Sequence, residues 1–459
     1  MPYKYDVIVI GGGSGLIISS QASAAGMKVA LIEEGPLGGT CLNRGCIPSK
    51  ALIHSAEIAE TVRNAGRFGI NAKVASVNFP LIMRRMRDVV KDGNHPLEKG
   101  IREDGNITLY TKRAKFIGER ELWVGGKWTI TADKIVIAAG ARPSVPQIEG
   151  LGKARYLDST SVFSLKKQPE SIAIIGGGYI ASEFAHFFHS IGTKVTVIQR
   201  NKYLVPDEDA EVRELFTRVV AKKMNVLLEH NTVKVARQGR KKVLYVKHKS
   251  GRGPTKRIMA DEILVATGRT PNTDLLNVQA SGVETNDAGF IKVDDYLQTS
   301  HPGIWAFGDI IGREMFKHTA NYEAFLVWNN MSGEKKVKVN FSANPHAVFT
   351  SPQIAGVGLT EERAKEEGYD FEVMKYPYGR TGKGAAIGYP VGFAKAIVEK
   401  KTERILGFHI IGPQAADIIH EVIVAMNSGM GTFDPILRTI HIHPTLAELI
   451  PRVFGEGGE

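Results

Sequence analysis

Residues 38–50 read GGTCLNRGCIPSK and hold the only two cysteines of the chain, Cys41 and Cys46. Thiols this close can form a structural disulfide, supply half of a zinc site, or open and close as a redox couple. Along a regular helix, five residues span about 7.5 Å of rise and about 140° of turn. A disulfide needs Cα atoms within roughly 4.4–6.8 Å. A bridge here therefore requires an irregular turn, and Gly45 and Pro48 are suited to supplying one. A strained bridge is also more easily reduced. The spacing alone leaves all three chemistries open.

The elements that must position these thiols contain one pattern twice. Residues 5–34 read YDVIVIGGGSGLIISSQASAAGMKVALIEE, and 171–200 read SIAIIGGGYIASEFAHFFHSIGTKVTVIQR. Each runs apolar strand, glycine turn, helix, glycine stop and second strand: a βαβ unit with the dinucleotide fingerprint G-x-G-x-x-G/A. The glycines let the backbone approach a pyrophosphate, which then sits on the helix N-terminus, where free N–H groups and the dipole favour anions. In the second unit Gly176, Gly178 and Ala181 fit. In the first, Gly11 and Gly13 fit, but Leu16 holds the third position and Gly15 stands one place early. That third glycine serves helix–strand packing, so the pair facing the pyrophosphate survives.

Two further segments look alike: IVIAAGARP (135–143) and ILVATGRTP (263–271) each read as a buried strand ending in a small-residue turn, closing one nucleotide-binding half. GIWAFGDI (303–310) adds a strand ending at Gly308-Asp309. After about residue 340 the pattern changes to short strands (HAVFTSPQIAGVGL, GFAKAIVEK, ILGFHIIG) followed by a helix, AADIIHEVIVAMNSG, which together read as a separate α+β domain.

Composition bounds the remaining classes. A chain of 459 residues, 43% hydrophobic and 23% charged, is an ordinary globular protein of several domains. No apolar run is long enough for a transmembrane helix, and the start MPYKYDVIVIGGG enters a strand at once, without a charged leader. Two cysteines cannot form an extracellular disulfide framework, so the cytoplasm is the expected compartment. The net charge is +11, and the densest basic stretch is RQGRKKVLYVKHKSGRGPTKR (237–257). It matches no nucleic-acid module and reads as a solvated hairpin; neither nucleic acid nor membrane is an expected partner.

Taken together, GGTCLNRGCIPSK, the two fingerprints, the two closing turns, Gly308-Asp309 and HPTLAE (443–448) resemble the flavin-dependent pyridine nucleotide–disulfide oxidoreductases of the two-cysteine class. The resemblance covers essentially the whole chain. It implies an α/β fold with two Rossmann-like dinucleotide-binding domains, for FAD and NAD(P), and a C-terminal α+β dimerisation domain. The corresponding bounds are 1–146 for the first part of the FAD domain, 147–266 for the NAD(P) domain, 267–338 for the second part of the FAD domain, and 339–459 for dimerisation.

The resemblance also assigns roles. FAD would be held by Gly11, Gly13, Ser14 and Gly15 of the first turn, with Glu33 on the adenosine ribose and Gly39 and Thr40 before the thiols. Ala114, Gly140 and Asp309 complete its expected contacts, together with Lys317 and His318 in MFKHTAN (315–321), a helix start similar to the one facing the flavin pyrimidine. Cys46 is then the thiolate nearest the flavin, and Cys41 the interchange thiol that attacks substrate. Zinc would normally need three or four protein ligands and is disfavoured; so is a permanent disulfide in a reducing compartment. No metal is expected. His443, presented from the partner of a homodimer, becomes the acid–base group, a task suited to imidazole near neutral pH. Glu448 orients it, whereas His441 is an ordinary structural histidine. Lys50 and Glu183 match the family's ion pair beside the flavin.

Nucleotide and substrate differ in how far the residues specify them. The expected nucleotide contacts are Gly176, Gly178, Tyr179, Ile180, Glu183, Gln199, Arg200, Lys202 and Gly268. Seven residues after Gly26 comes Glu33; seven after Gly192 comes Gln199. A carboxylate there binds a free 2′-hydroxyl and repels a 2′-phosphate; Gln199 does not repel it, and Arg200 and Lys202 follow. NADPH is therefore expected over NADH. Tyr179 is similar to the glutathione-reductase tyrosine that lies over the flavin until nicotinamide arrives. This feature, Gln199 and KHTANYEA resemble mycothione and glutathione reductases, which implies a low-molecular-weight disulfide as substrate. GGTCLNRGCIPSKAL looks most like dihydrolipoamide dehydrogenases, which would make the chain an NAD-linked subunit of a multienzyme complex. Mercuric reductase is disfavoured because a second, C-terminal cysteine pair is absent from the sequence.

Overall fold

The computed structural model describes residues 3–333, 335–389 and 391–455. The expected domain limits at 1 and 459 lie outside these residues. The first βαβ unit forms as read: strand Tyr3–Ile10, helix Gly15–Ala24 and strand Val29–Ile32. Tyr3–Ile10 lies between Val29–Ile32 and Trp128–Ile137, parallel to both, in register Val7↔Val29 and Ile10↔Ile137. Strand Ile304–Ala306 joins on the far side of Trp128–Ile137. Val7, Ile8, Val9 and Ile10 are all buried, as continuous apolar runs must be in a parallel sheet covered on both faces.

The second unit repeats this arrangement. Ser171–Ile175 pairs in parallel with Lys194–Ile198 and Glu262–Val265, with Asn225–Leu227 and Leu157–Asp158 at the edges. The two segments that look alike in sequence then meet: Ala141–Pro143 pairs antiparallel with Arg269–Pro271. Residues 237–257 belong to a three-stranded antiparallel meander, His230–Gln238, Lys241–His248 and Lys256–Ala260, rather than a two-stranded hairpin. Its Lys242 is not solvated but buried against Glu262.

The C-terminal region is a five-stranded antiparallel sheet in the order Pro345–Val348, Gln353–Gly358, Ile405–Gly412, Phe393–Glu399, Phe371–Pro377. The expected single helix after it is two pieces, Ala415–Ile418 and His420–Met426. Among the described residues no helix is long and apolar enough to cross a membrane.

Helix Cys46–Asn64 couples these layers. Its Leu52 and Ala56 share a core with Ala181, Phe184, Ala185 and Phe188 of helix Tyr179–Ser190, and with Val348 and Ile354 of the C-terminal sheet. The thiols are therefore fixed by packing against the second unit, although they follow the first in sequence.

Candidate active site

Both glycine turns sit beyond the carboxyl ends of parallel strands, where open α/β sheets take up ligands. Gly11 has φ +114° and a Cβ there would fall 2.2 Å from the Ala138 carbonyl oxygen; Gly176 has φ +117° and a Cβ would fall 2.1 Å from that of Ala266. The two turns are geometric copies. In the first, Glu33 accepts hydrogen bonds from the Gly12 and Gly35 amides, both 2.8 Å. In the second, the Gln199 side chain packs against Gly177 and donates to the Tyr203 carbonyl at 3.2 Å. The displaced glycine of the first fingerprint also finds its use: a Cβ on Gly15 would lie 2.9 Å from Val9 Cγ1, so Gly15 provides the close helix–strand contact while Leu16 packs at the core edge.

The remaining contacts expected for FAD gather around that first turn. Ser14 Oγ donates to Asn321 at 2.9 Å and receives a hydrogen bond from Lys317 Nζ at 2.8 Å. A Cβ on Gly39 would come 2.7 Å from Gly13 Cα, so this glycine keeps the cradle open beside Thr40. Asp309 lies in the first turn of the 3₁₀ segment Gly308–Ile311. Burial pushes its carboxyl up against the opposing charge of Arg269, whose Nε lies 3.3 Å away. A part-buried carboxylate just beyond strand Ile304–Ala306, in the same parallel sheet as the first glycine turn, fits a polyhydroxyl phosphate ester such as FAD. Gly140, at φ +63°, adjoins this region. Ala114 is buried in the first core, leaving only its backbone for a ligand. His318 departs from expectation: its Nε2 pairs with the Pro345 carbonyl at 2.6 Å and its ring stacks on Phe316, so it is turned to the C-terminal sheet while Lys317 faces the cradle.

Cys41 lies in the short helix Gly39–Arg44, and Cys46 opens the 19-residue helix Cys46–Asn64. The irregular turn between them is Gly45 alone, at φ −146° and ψ −112°. Pro48 instead lies inside the first turn of the second helix, where its missing N–H costs nothing. The neighbouring Cys41 thiol, foremost, holds the Cys46 thiol down to about 7; burial opposes it and the Lys50 charge assists. Cys46 in turn pushes the Cys41 thiol up, with burial adding to it. A helix N-terminus also favours a thiolate. Among the described residues no group of three or more His, Cys, Asp or Glu is placed to hold a metal.

Lys50, one turn beyond Cys46, makes an ion pair with Glu183 at 2.8 Å. Its Nζ also lies 4.4 Å from the centre of the Phe349 ring, a contact that no sequence motif signals. His443 Nδ1 pairs with Glu448 Oε1 at 2.9 Å, and the His443 side chain is 72% exposed. Glu448 closes a capping box with Thr445, which fixes the carboxylate, and the Glu448 carboxyl is held low by His443 and the Thr445 amide despite its partial burial. His441 pairs with Glu421 at 2.7 Å, a separate structural contact. Around the second turn, Tyr179 and Ile180 open helix Tyr179–Ser190 and Gly268, at φ +119°, begins the closing turn. Arg200 is exposed, and the Lys202 ammonium stands 5.1 Å over the Tyr203 ring.

The family model described as pyridine nucleotide-disulphide oxidoreductase matches residues 5–324, and that family's dimerisation domain matches 344–453. The chain is 36% identical to a mycothione reductase of Mycobacterium tuberculosis, across 97% of this chain and 98% of the relative. It is 35% identical to a dihydrolipoyl dehydrogenase of Chlamydia trachomatis, across 98% and 96%. To a mercuric reductase of Staphylococcus aureus it is 34% identical, across 97% and 81%. The solved HOCl-induced flavoprotein disulfide reductase RclA of Escherichia coli, in its Cu(II) complex, superposes with a TM-score of 0.87 at 29% identity, across 98% of this chain and 99% of that one.

Proposed function

The chain belongs to the pyridine nucleotide–disulphide oxidoreductase family, and on that premise we propose that it carries electrons from NADPH through FAD and the Cys41/Cys46 pair to a low-molecular-weight disulfide. FAD dependence, a pyridine nucleotide donor and a homodimer are properties of that family. The observation that carries the reading is geometric: Cys41 lies in one short helix and Cys46 opens the next across Gly45 alone, with Lys50, paired to Glu183 at 2.8 Å, one turn beyond Cys46. FAD, when bound, supplies the two-electron link between nicotinamide and sulfur. Every other task falls to side chains.

Cys41 gives its proton to the His443 imidazole of the partner subunit and, as the thiolate, attacks one sulfur of the substrate to form a mixed disulfide. The released thiolate takes a proton from the His443 imidazolium of the partner subunit, with Glu448 holding that ring. Cys46 thiolate then attacks Cys41 sulfur, expels the second thiolate, which takes up one proton from solution, and re-forms the Cys41–Cys46 disulfide. One nucleotide hydride and one proton thus yield two thiols. Lys50, paired with Glu183, stabilises negative charge at Cys46.

NADPH is favoured over NADH because Gln199 stands where the first turn has Glu33, so nothing at that position repels a 2′-phosphate. The exposed Arg200 and Lys202 supply charge-assisted donors. A second reading, an NAD-linked dihydrolipoamide dehydrogenase, is supported by GGTCLNRGCIPSK and by the likeness to the chlamydial dehydrogenase. Steady-state rates with NADPH and NADH against mycothione, glutathione disulfide and lipoamide test the two. The first reading expects NADPH and a free disulfide to give the highest kcat/KM; NADH with lipoamide highest would replace it with the second.

A further inference from the structure

Tyr179 is the first residue of its helix after Gly178, yet its ring is not left free at the mouth of the turn. It stacks on His346, 5.9 Å between centres and 8° from parallel, and on Phe316 at 6.0 Å. His346 in turn pairs with Glu208 at 3.0 Å. Glu208 is fully buried, and its second oxygen, Oε1, has no hydrogen-bond partner; the Tyr179 hydroxyl lies beside this carboxylate. Gly356 makes the room: a Cβ there would fall 2.6 Å from His346 Cε1. The adjoining Asp209, equally buried, is held by the buried Lys395 at 3.0 Å. Burial works against charge on both members of the Glu208–His346 pair, but each partner outweighs it, holding the carboxyl low and the imidazole high. A buried ion pair gains little stability over apolar side chains of the same volume. Stability therefore gives no reason to place one here.

We propose that Glu208 and His346 are positioning residues for Tyr179, and that the ring position they impose sets how readily the second glycine turn takes up the nicotinamide half of a dinucleotide. Tyr179 and Glu183 are four residues apart on one helix face, so the ring is the neighbour of the Lys50–Glu183 pair along the path from the glycine turn to the thiols. Held between His346, Phe316 and Glu208, it occupies one place. Released, it samples rotamers across the mouth, and apparent affinity falls in proportion to the fraction of molecules left open. The inference rests on the Gly176–Gly178 turn being the nucleotide site.

The test is a titration of the FAD-loaded dimer with NADP+ and NAD+, and with their adenosine halves, adenosine 2′,5′-bisphosphate and AMP. Replacing both charges together (Glu208→Leu with His346→Leu) leaves no orphaned ion. If the open fraction drops to between a third and a tenth, the dinucleotide bound by wild type weakens about three- to tenfold. The matching adenosine fragment is expected to bind as before. In a Tyr179→Ala background the same pair of substitutions is expected to have no effect on the dinucleotide. Equal weakening of the fragment, an unchanged dinucleotide affinity, or the same loss without the Tyr179 ring would each overturn the proposal. Should the double replacement fail to fold, Tyr179→Phe deletes only the hydroxyl facing Glu208; weaker dinucleotide binding with the fragment unaffected is expected, and unaltered binding overturns the proposal. Wild type that binds neither dinucleotide would remove the nucleotide-site reading itself, a result distinct from all of these.

Discussion

Lys50 and Glu183 meet across 133 residues of sequence, with the lysine Nζ 2.8 Å from each carboxylate oxygen. The lysine stands one turn after Cys46, and the glutamate one turn after Tyr179. Their ion pair therefore joins the thiol helix to the second glycine turn. Phe349, whose amide donates to Glu183 at 3.2 Å, braces the pair from the C-terminal sheet.

Removing the lysine charge tests its effect on sulfur. The Cys46 thiol sits at about 7, below its ordinary 9.0, so the thiolate predominates above that pH and is lost as pH falls through it. Lys50→Met withdraws a cation and leaves Glu183 uncompensated, and both changes move the titration upward, by about one unit or more. The long-wavelength thiolate-to-flavin band of the two-electron-reduced holoenzyme reports it, and its pH midpoint is expected to rise. Lys50→Arg is expected to keep the midpoint near that of wild type. An unmoved midpoint in Lys50→Met would mean that Cys41 and the helix terminus alone hold the thiolate.

The copied turns give paired outcomes. A methyl group at Gly11 or Gly176 collides with a carbonyl oxygen little more than 2 Å away, at a φ that L residues avoid. Gly11→Ala is expected to purify without flavin colour. Gly176→Ala is expected to retain flavin and a dithionite-reducible dithiol, but to lose reduction by nucleotide. Loss of flavin from Gly176→Ala would contradict the division of labour between the turns.

Much of this site is written locally. The strand–glycine–helix pattern specifies both turns because the φ values at Gly11 and Gly176 admit little else, and the Glu33/Gln199 correspondence survives as matching contacts with Gly12 and Gly177. The Tyr179–His346–Glu208 cluster is not legible in this way. It draws one residue from a helix start, one from an edge strand and one from a loop, and none belongs to a short-range pattern. The side-chain direction of His318 is illegible for a related reason: at a helix start, adjacent side chains point in different directions, so Lys317 bonds Ser14 while the His318 ring turns to the Pro345 carbonyl. The 25-residue helix Phe79–Glu103 runs through Gly93 and Pro96, residues that punctuate a helical pattern in sequence; a Cβ on Gly93 would fall 2.8 Å from Leu42 Cδ1, so this glycine serves close packing on helix Gly39–Arg44.

Nucleotide choice can be reversed at one exposed position. Arg200→Glu places a carboxylate beside Gln199, where it repels a 2′-phosphate and accepts a 2′-hydroxyl. Losing one charge-assisted contact costs roughly 1.5–3 kcal/mol, about a ten- to hundredfold rise in KM for NADPH. KM for NADH is expected to change little. An unchanged ratio between the two would mean that Arg200 only faces solvent.

The final prediction concerns which chain His443 serves. Its ring is largely exposed although Glu448 fixes it at 2.9 Å, and the segment that leads into it carries Ile440 and Ile442, exposed to 97% and 77%. Exposed apolar side chains next to an oriented imidazole mark a surface that another chain covers, which fits the family's dimerisation domain at 344–453. If His443 works in the partner's cleft, Cys41→Ser and His443→Gln proteins are each inactive alone for different reasons. Mixed and allowed to exchange subunits, they form heterodimers with one site carrying both lesions and one carrying neither. Loss of a general acid–base group costs about 10²–10⁴-fold, so a single restored site stands well above the parental background. Complete random exchange makes half of the dimers mixed, each with one working site, so recovery approaches about a quarter of the wild-type rate per subunit pair. No recovery, with exchange confirmed by mass-tagged subunits, would place His443 in its own chain's site or outside catalysis altogether.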